Sequence, residues 1–83
     1  MTFSVAAARL DALEAIQDNW PGFGPPAMSK VIAVAEAELW AAVPSTADDR
    51  DWLYARFERA LANHWCDEAK APLLSALARA KAA

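Results

Sequence analysis

The sequence predicts an all-α protein, a small antiparallel bundle of three to four short helices. Three observations predict it. Alanine, the best helix former, supplies 22 of the 83 residues, while glycine supplies two. Apolar side chains recur at three- and four-residue intervals. The stretches rich in Ala, Leu, Glu and Arg contain none of the β-branched runs that strands favour.

The first helix is expected over about residues 4–18. Phe3, Ala6, Leu10, Leu13, Ile16 (or Gln17) and Trp20 form its stripe, and Thr2 or Ser4 can cap its start. Residues 18–26 hold three of the five prolines and both glycines, so no helix crosses them. Trp20 and Phe23 sit in that segment, which points to an ordered loop folded back on the helices. The second helix begins near Ser29 as its N-cap and runs to about Ala42. Its stripe is Met28, Ile32, Ala35, Leu39 and Ala42, broadened by Val31, Val34 and Trp40.

The third helix starts at Ser45 or Thr46, with Ser45 and Asp48 at the spacing of a capping box. Leu53, Phe57, Leu61 and Trp65 recur along it at i+4, with Trp52 and Ala60 beside them. Pro72 disfavours helical conformation at Ala71, so the fourth helix is expected from about Pro72 to Lys81. Leu73, Leu74, Leu77 and Ala80 face inward there.

Eighty-three residues make one domain, 1–83, near the lower end of what folds alone. Of 47 apolar residues only 25 are larger than alanine, so the core is thin. Trp52, Phe57 and Trp65 are expected to fill it, with one or two of Trp20, Phe23 and Trp40 left at the surface. A partner or a homodimer interface would add stability that such a core lacks.

One cysteine excludes an internal disulfide and suits a reducing cytoplasm. No apolar run is long enough to span a bilayer, and no secretory leader opens the chain. The net charge of −3 disfavours nucleic acid as a direct ligand. That charge is uneven: residues 1–51 carry eight acids and three bases, residues 52–83 three acids and five bases.

Enzymatic chemistry is not expected. His64 and Cys66 stand two apart and would point to different faces of a helix, and His64 with Glu68 gives too few ligands for zinc. Gly22-Phe23-Gly24 has no Lys-Ser/Thr after it and so is a turn, not a phosphate cradle. No cofactor or metal is called for. A helix-turn-helix reading fails on charge, because Asp48, Asp49 and Asp51 would open the recognition helix and repel phosphates.

What remains is binding. Asp11, Glu14 and Asp18 lie on or near one side of the first helix, Glu36 and Glu38 on the second, and Asp48, Asp49 and Asp51 at the start of the third. If they converge, they form a patch suited to a basic groove on a partner, steered by complementary charge. Trp20 and Phe23 would anchor it.

The run Asn19-Trp20-Pro21-Gly22-Phe23-Gly24, followed by Pro25-Pro26-Ala27-Met28-Ser29 and a helix with Val31-Ile32, resembles a segment of small uncharacterised bacterial and phage proteins. Those carry Asn-Trp-Asp-Gly-Tyr-Gly between two helices. The resemblance covers about residues 10–40, departs at Pro21 and Lys30, lacks a β-rich continuation and implies no site. In size, acidity and absence of catalytic motifs the whole chain is similar to anti-CRISPR proteins, phage proteins that bind a CRISPR effector and block its access to DNA. The expected function is therefore an inhibitor that covers a nucleic-acid-binding surface of a host protein complex, in the host cytoplasm. The competing expectation is an antitoxin-like or accessory subunit that binds through an apolar helical face.

Overall fold

In the computed structural model, residues 1–22 and 24–82 are described, with side chains through Ala80. Four helices of 16 residues each follow in order: α1 (Phe3–Asp18), α2 (Pro26–Ala41), α3 (Ala47–Ala62) and α4 (Asp67–Ala82). No strand occurs among the described residues, and the expected all-α class is borne out. None of these helices is long and apolar enough to cross a membrane.

The helices pack as two pairs, α1 with α2 and α3 with α4. The first unit is Met1–Ala42, and the second begins at Val43. Each 16-residue helix is about 24 Å long. The connection at residues 63–66 is too short to carry the chain back along that length, so α4 must return antiparallel to α3.

α1 starts where Thr2 Oγ1 accepts the Val5 N–H at 3.3 Å. It ends at Asn19, whose backbone N–H and side-chain Nδ2 both donate to the Ala15 carbonyl, at 3.1 and 2.8 Å. Asn63 closes α3 in the same way on the Arg59 carbonyl, at 3.0 and 2.8 Å. Each side-chain amide thus gives a last-turn carbonyl a second hydrogen bond beside its ordinary backbone one.

α2 starts three residues before the expected Ser29, with Pro25 extended at the cap and Pro26 opening the helix. A proline in the first turn loses no hydrogen bond, and its fixed φ already suits the helix. Ser29 therefore lies inside α2 and caps nothing.

The α3 capping box is one residue later than expected. Thr46 Oγ1 accepts the Asp49 N–H at 3.1 Å, and Asp49 Oδ2 accepts the Thr46 N–H at 3.2 Å and the Ser45 N–H at 2.9 Å. Asp49 is 4% exposed, so its three neighbouring donors and acceptors are met inside the protein.

α4 begins at Asp67, five residues ahead of the expected Pro72, which lies within the helix. Cys66 O accepts the N–H groups of Ala69 and Lys70, both at 3.1 Å, and so starts the helix before the proline is reached. Pro72 has no N–H for the Glu68 carbonyl, and α4 proceeds with that bond missing.

The core is smaller than the sequence suggests. In the first unit it consists of Phe3, Ala6, Ala7 and Leu10 on α1 and Ile32, Ala35 and Leu39 on α2. In the second it consists of Leu53 and Ala60 on α3 and Leu73, Ala76 and Ala80 on α4. The expected stripes are narrower than the spacing suggests: Ile16, Trp20, Val31, Val34, Leu61 and Leu74 are exposed, while Leu13, Met28 and Leu77 are half-buried. Trp52, Phe57 and Trp65 are also half-buried, contrary to the expectation that they fill the core. In the second unit Arg56 holds the inward position between Leu53 and Ala60, and Trp52 and Trp65 lie against its guanidinium instead.

Asp49→Ala should destabilise the fold by about 2 kcal/mol, because two N–H donors lose a charged acceptor. Asp48→Ala, one residue earlier and exposed, should change stability by less than about 0.5 kcal/mol. Urea denaturation followed by circular dichroism distinguishes the two; equal effects would refute the shifted capping box.

Candidate functional site

Two surface features stand out, one in each unit. In the first, charge is divided between the two flanks of the buried stripe. Each helical residue turns about 100°. Around α1 this puts Arg9 on one flank of Phe3–Ala6–Leu10 and puts Asp11, Glu14 and Asp18, at i, i+3 and i+7, on the other. Around α2 it puts Glu38 on one flank of Ile32–Ala35–Leu39 and Glu36 and Trp40 on the other.

Arg9 Nη1 meets Glu38 Oε2 at 2.8 Å, so the Arg9 flank and the Glu38 flank are one side of the pair. Asp11, Glu14, Asp18 and Glu36 consequently share the opposite side. Asp11 and Asp18 are exposed, and Glu14 and Glu36 half-buried. Glu38, grouped with Glu36 in the sequence, faces away from this set.

The connection after α1 carries Trp20, 46% exposed. Its indole lies against Gly24, where a Cβ would come 3.7 Å from Trp20 Cδ1. Gly22 and Gly24 have φ of 83° and 74°, which L side chains rarely adopt, so the loop that displays Trp20 needs its glycines. Phe23, the second expected anchor, lies outside the described residues.

Of the acids expected at the start of α3, Asp48 and Asp51 are exposed in the second unit. Asp49 must be removed from any binding set. Its carboxylate is buried and committed to the N-terminus of α3.

The second feature was missed in the sequence. Arg56 is 8% exposed, on the inward line of α3 between Leu53 and Ala60. Its Cζ lies 5.3 Å from the Trp52 ring centroid and 5.3 Å from that of Trp65, and Arg59 Cζ lies 5.6 Å from Trp65. Two guanidinium groups and two indoles thus form one cation–π array. Trp52 and Arg56 at i and i+4 were a readable signal, since that spacing puts both on one helix face.

Trp65 reaches the array through the turn that ends α3. His64 takes the left-handed conformation with φ of 54°. The His64 N–H donates to Leu61 O at 3.3 Å and the Trp65 N–H to Ala60 O at 3.0 Å. This pair of bonds is the Schellman motif, with His64 in the position that glycine usually takes. It folds Trp65 back over the last turns of α3 instead of letting it continue the helix. His64 is thus a turn residue, and Cys66 an exposed thiol at the foot of α4. Among the described residues, no three of His, Cys, Asp and Glu gather as metal ligands would.

His64→Gly should raise stability by about 0.5–1 kcal/mol by relieving the left-handed strain. A loss of stability in thermal denaturation would show that the imidazole holds a contact worth more than the strain. A double-mutant cycle of Arg56→Met and Trp65→Leu should return a coupling of about 1 kcal/mol. Coupling near zero would mean that the stacked geometry contributes only packing. Compared with known proteins, the chain matches no family model, no curated protein and no solved structure.

Proposed function

We propose that the protein is a non-catalytic, stoichiometric inhibitor that occupies a nucleic-acid-binding surface of a host protein complex, in its most concrete form an anti-CRISPR acting in the host cytoplasm. The observation that supports this reading is the one-sided charge of the first unit. Asp11, Glu14, Asp18 and Glu36 share a flank, and the ion pair of Arg9 with Glu38 lies on the other. Along α1 the three carboxylates rise by about 4.5–6 Å from one to the next, of the same order as the charge spacing along a nucleic-acid strand. A groove lined with Lys and Arg for phosphates would accept such a row. The complementary field would speed association and set orientation. Trp20, displayed beside the same helix end, supplies an aromatic anchor. Asp48 and Asp51 add negative charge to the second unit. No step in this reading requires a bond to be made or broken.

The test is a pull-down with tagged protein from bacterial lysate containing CRISPR effectors, treated with nuclease and read by mass spectrometry. A nucleic-acid-handling complex should be retained without its nucleic acid and lost at high salt. The double variant Asp11→Lys, Asp18→Lys should reduce its affinity by about 100-fold while circular dichroism stays unchanged. Both residues are exposed. Recovery of a single small partner regardless of salt, unaffected by this variant, would overturn the inhibitor and favour an accessory subunit bound through apolar surface.

A further inference from the structure

The flank of the first unit that carries Arg9 and Glu38 is also where its exposed apolar side chains gather. Arg9, Leu13 and Ile16 stand at i, i+4 and i+7 along α1. Glu38, Val34 and Val31 run through the same intervals backward along α2. Arg9, in the first half of α1, meets Glu38, near the end of α2, which makes this pair antiparallel; level residues then have numbers of constant sum, set by this contact to within about one turn. Leu13 therefore stands level with Val34, and Ile16 with Val31. The flank is a ladder of one charged rung and two apolar rungs. Leu13 is half-buried; Ile16, Val31, Val34 and Val5, one turn before Arg9, are 43–57% exposed. β-branched residues are poor choices for the wet side of an alanine-rich helix, because they lose rotamer freedom there and bury nothing in return.

We propose that this face is where two copies of the chain pair. The charge pattern selects a second copy as the occupant. The flank carries one cation and one anion, placed on different helices at the same level. A two-fold axis parallel to the helices lays α1 of one copy over α2 of the other without shifting their levels. Arg9 of each copy then faces Glu38 of the other. Leu13 faces Val34, and Ile16 faces Val31, each contact occurring twice, as a two-fold interface requires. Every helix in the resulting four-helix layer pair runs antiparallel to its neighbours, the arrangement favoured in bundles. The opposite flank cannot pair in this way, since Asp11 of each copy would face Glu36 of the other, with Glu14 and Asp18 adding further negative charge on both sides. Pairing covers the apolar ladder and leaves the acidic flank in water, so it neither requires nor excludes the inhibitory role.

Sedimentation equilibrium of the full chain across the micromolar range tests this. The expected mass is twice that of the 9.0 kDa chain. Val34→Glu should give the single-chain mass with helicity unchanged by circular dichroism, and Ala37→Lys, also exposed on α2 but off the ladder, should leave the dimer intact. Arg9→Glu alone should weaken pairing by about 100-fold, since it sets like charges against each other, and Arg9→Glu combined with Glu38→Arg should restore it. A wild-type chain that stays at the single-chain mass throughout overturns the proposal. So does a dimer indifferent to both Val34→Glu and Arg9→Glu, or a charge swap that fails to restore pairing.

Discussion

Close approach of alanine-lined helices is the constraint from which the other features follow. Ala6 and Ala7 on α1 meet a partner helix that offers Ala35, and Ala60 on α3 meets one that offers Ala76 and Ala80. Such contacts bring backbones near each other and bury little volume per residue. The fully buried large side chains are accordingly few: Phe3, Leu10, Leu39, Leu53, Leu73 and Pro44. Every described tryptophan is pushed to a flank or a loop. The second unit turns that displacement to use by stacking Trp52 and Trp65 on Arg56. The arginine thereby occupies an inward position where its aliphatic stem packs like an apolar residue and its planar head lies between rings.

Helix ends are correspondingly well secured. A thin interior cannot hold a frayed terminus in place, and isolated helices of this length are marginal in water. Thr2, Asn19, Thr46 with Asp49, and Asn63 each give the backbone a partner it would otherwise take from solvent. Asp49 shows the cost of reading such residues as surface charge. Three aspartates within four positions look alike in the sequence, yet one is a buried cap and two are exposed.

The helical class, the start and end of α1 and the stripe of Asp11, Glu14 and Asp18 were all legible in the sequence, because each rests on local spacing. The errors have local causes too. Pro26 was treated as part of a breaker segment although a proline fits a helix start, and Pro72 was treated as a start although α4 tolerates it within. The burial of Trp52, Phe57 and Trp65 was misjudged because periodicity reports which face a residue shares, and not how far apart the neighbouring helices stand. Glu36 and Glu38, two apart, already had to stand on different flanks of α2, but which of them joins the α1 carboxylates was beyond local spacing. It depends on which side of α2 the Arg9 side chain reaches.

Pro72 has one further consequence. The missing donor to the Glu68 carbonyl cuts the hydrogen-bond ladder of α4 one turn from its start. Ala69 and Lys70 are tied backward to Cys66, and Trp65 before it is tied to α3 through Ala60. The opening turn of α4 thus belongs, in its cooperativity, to the turn and helix that precede it. The weakest point in the hydrogen bonding of α4 falls inside the helix, at the proline, and not at the loop where the chain changes direction.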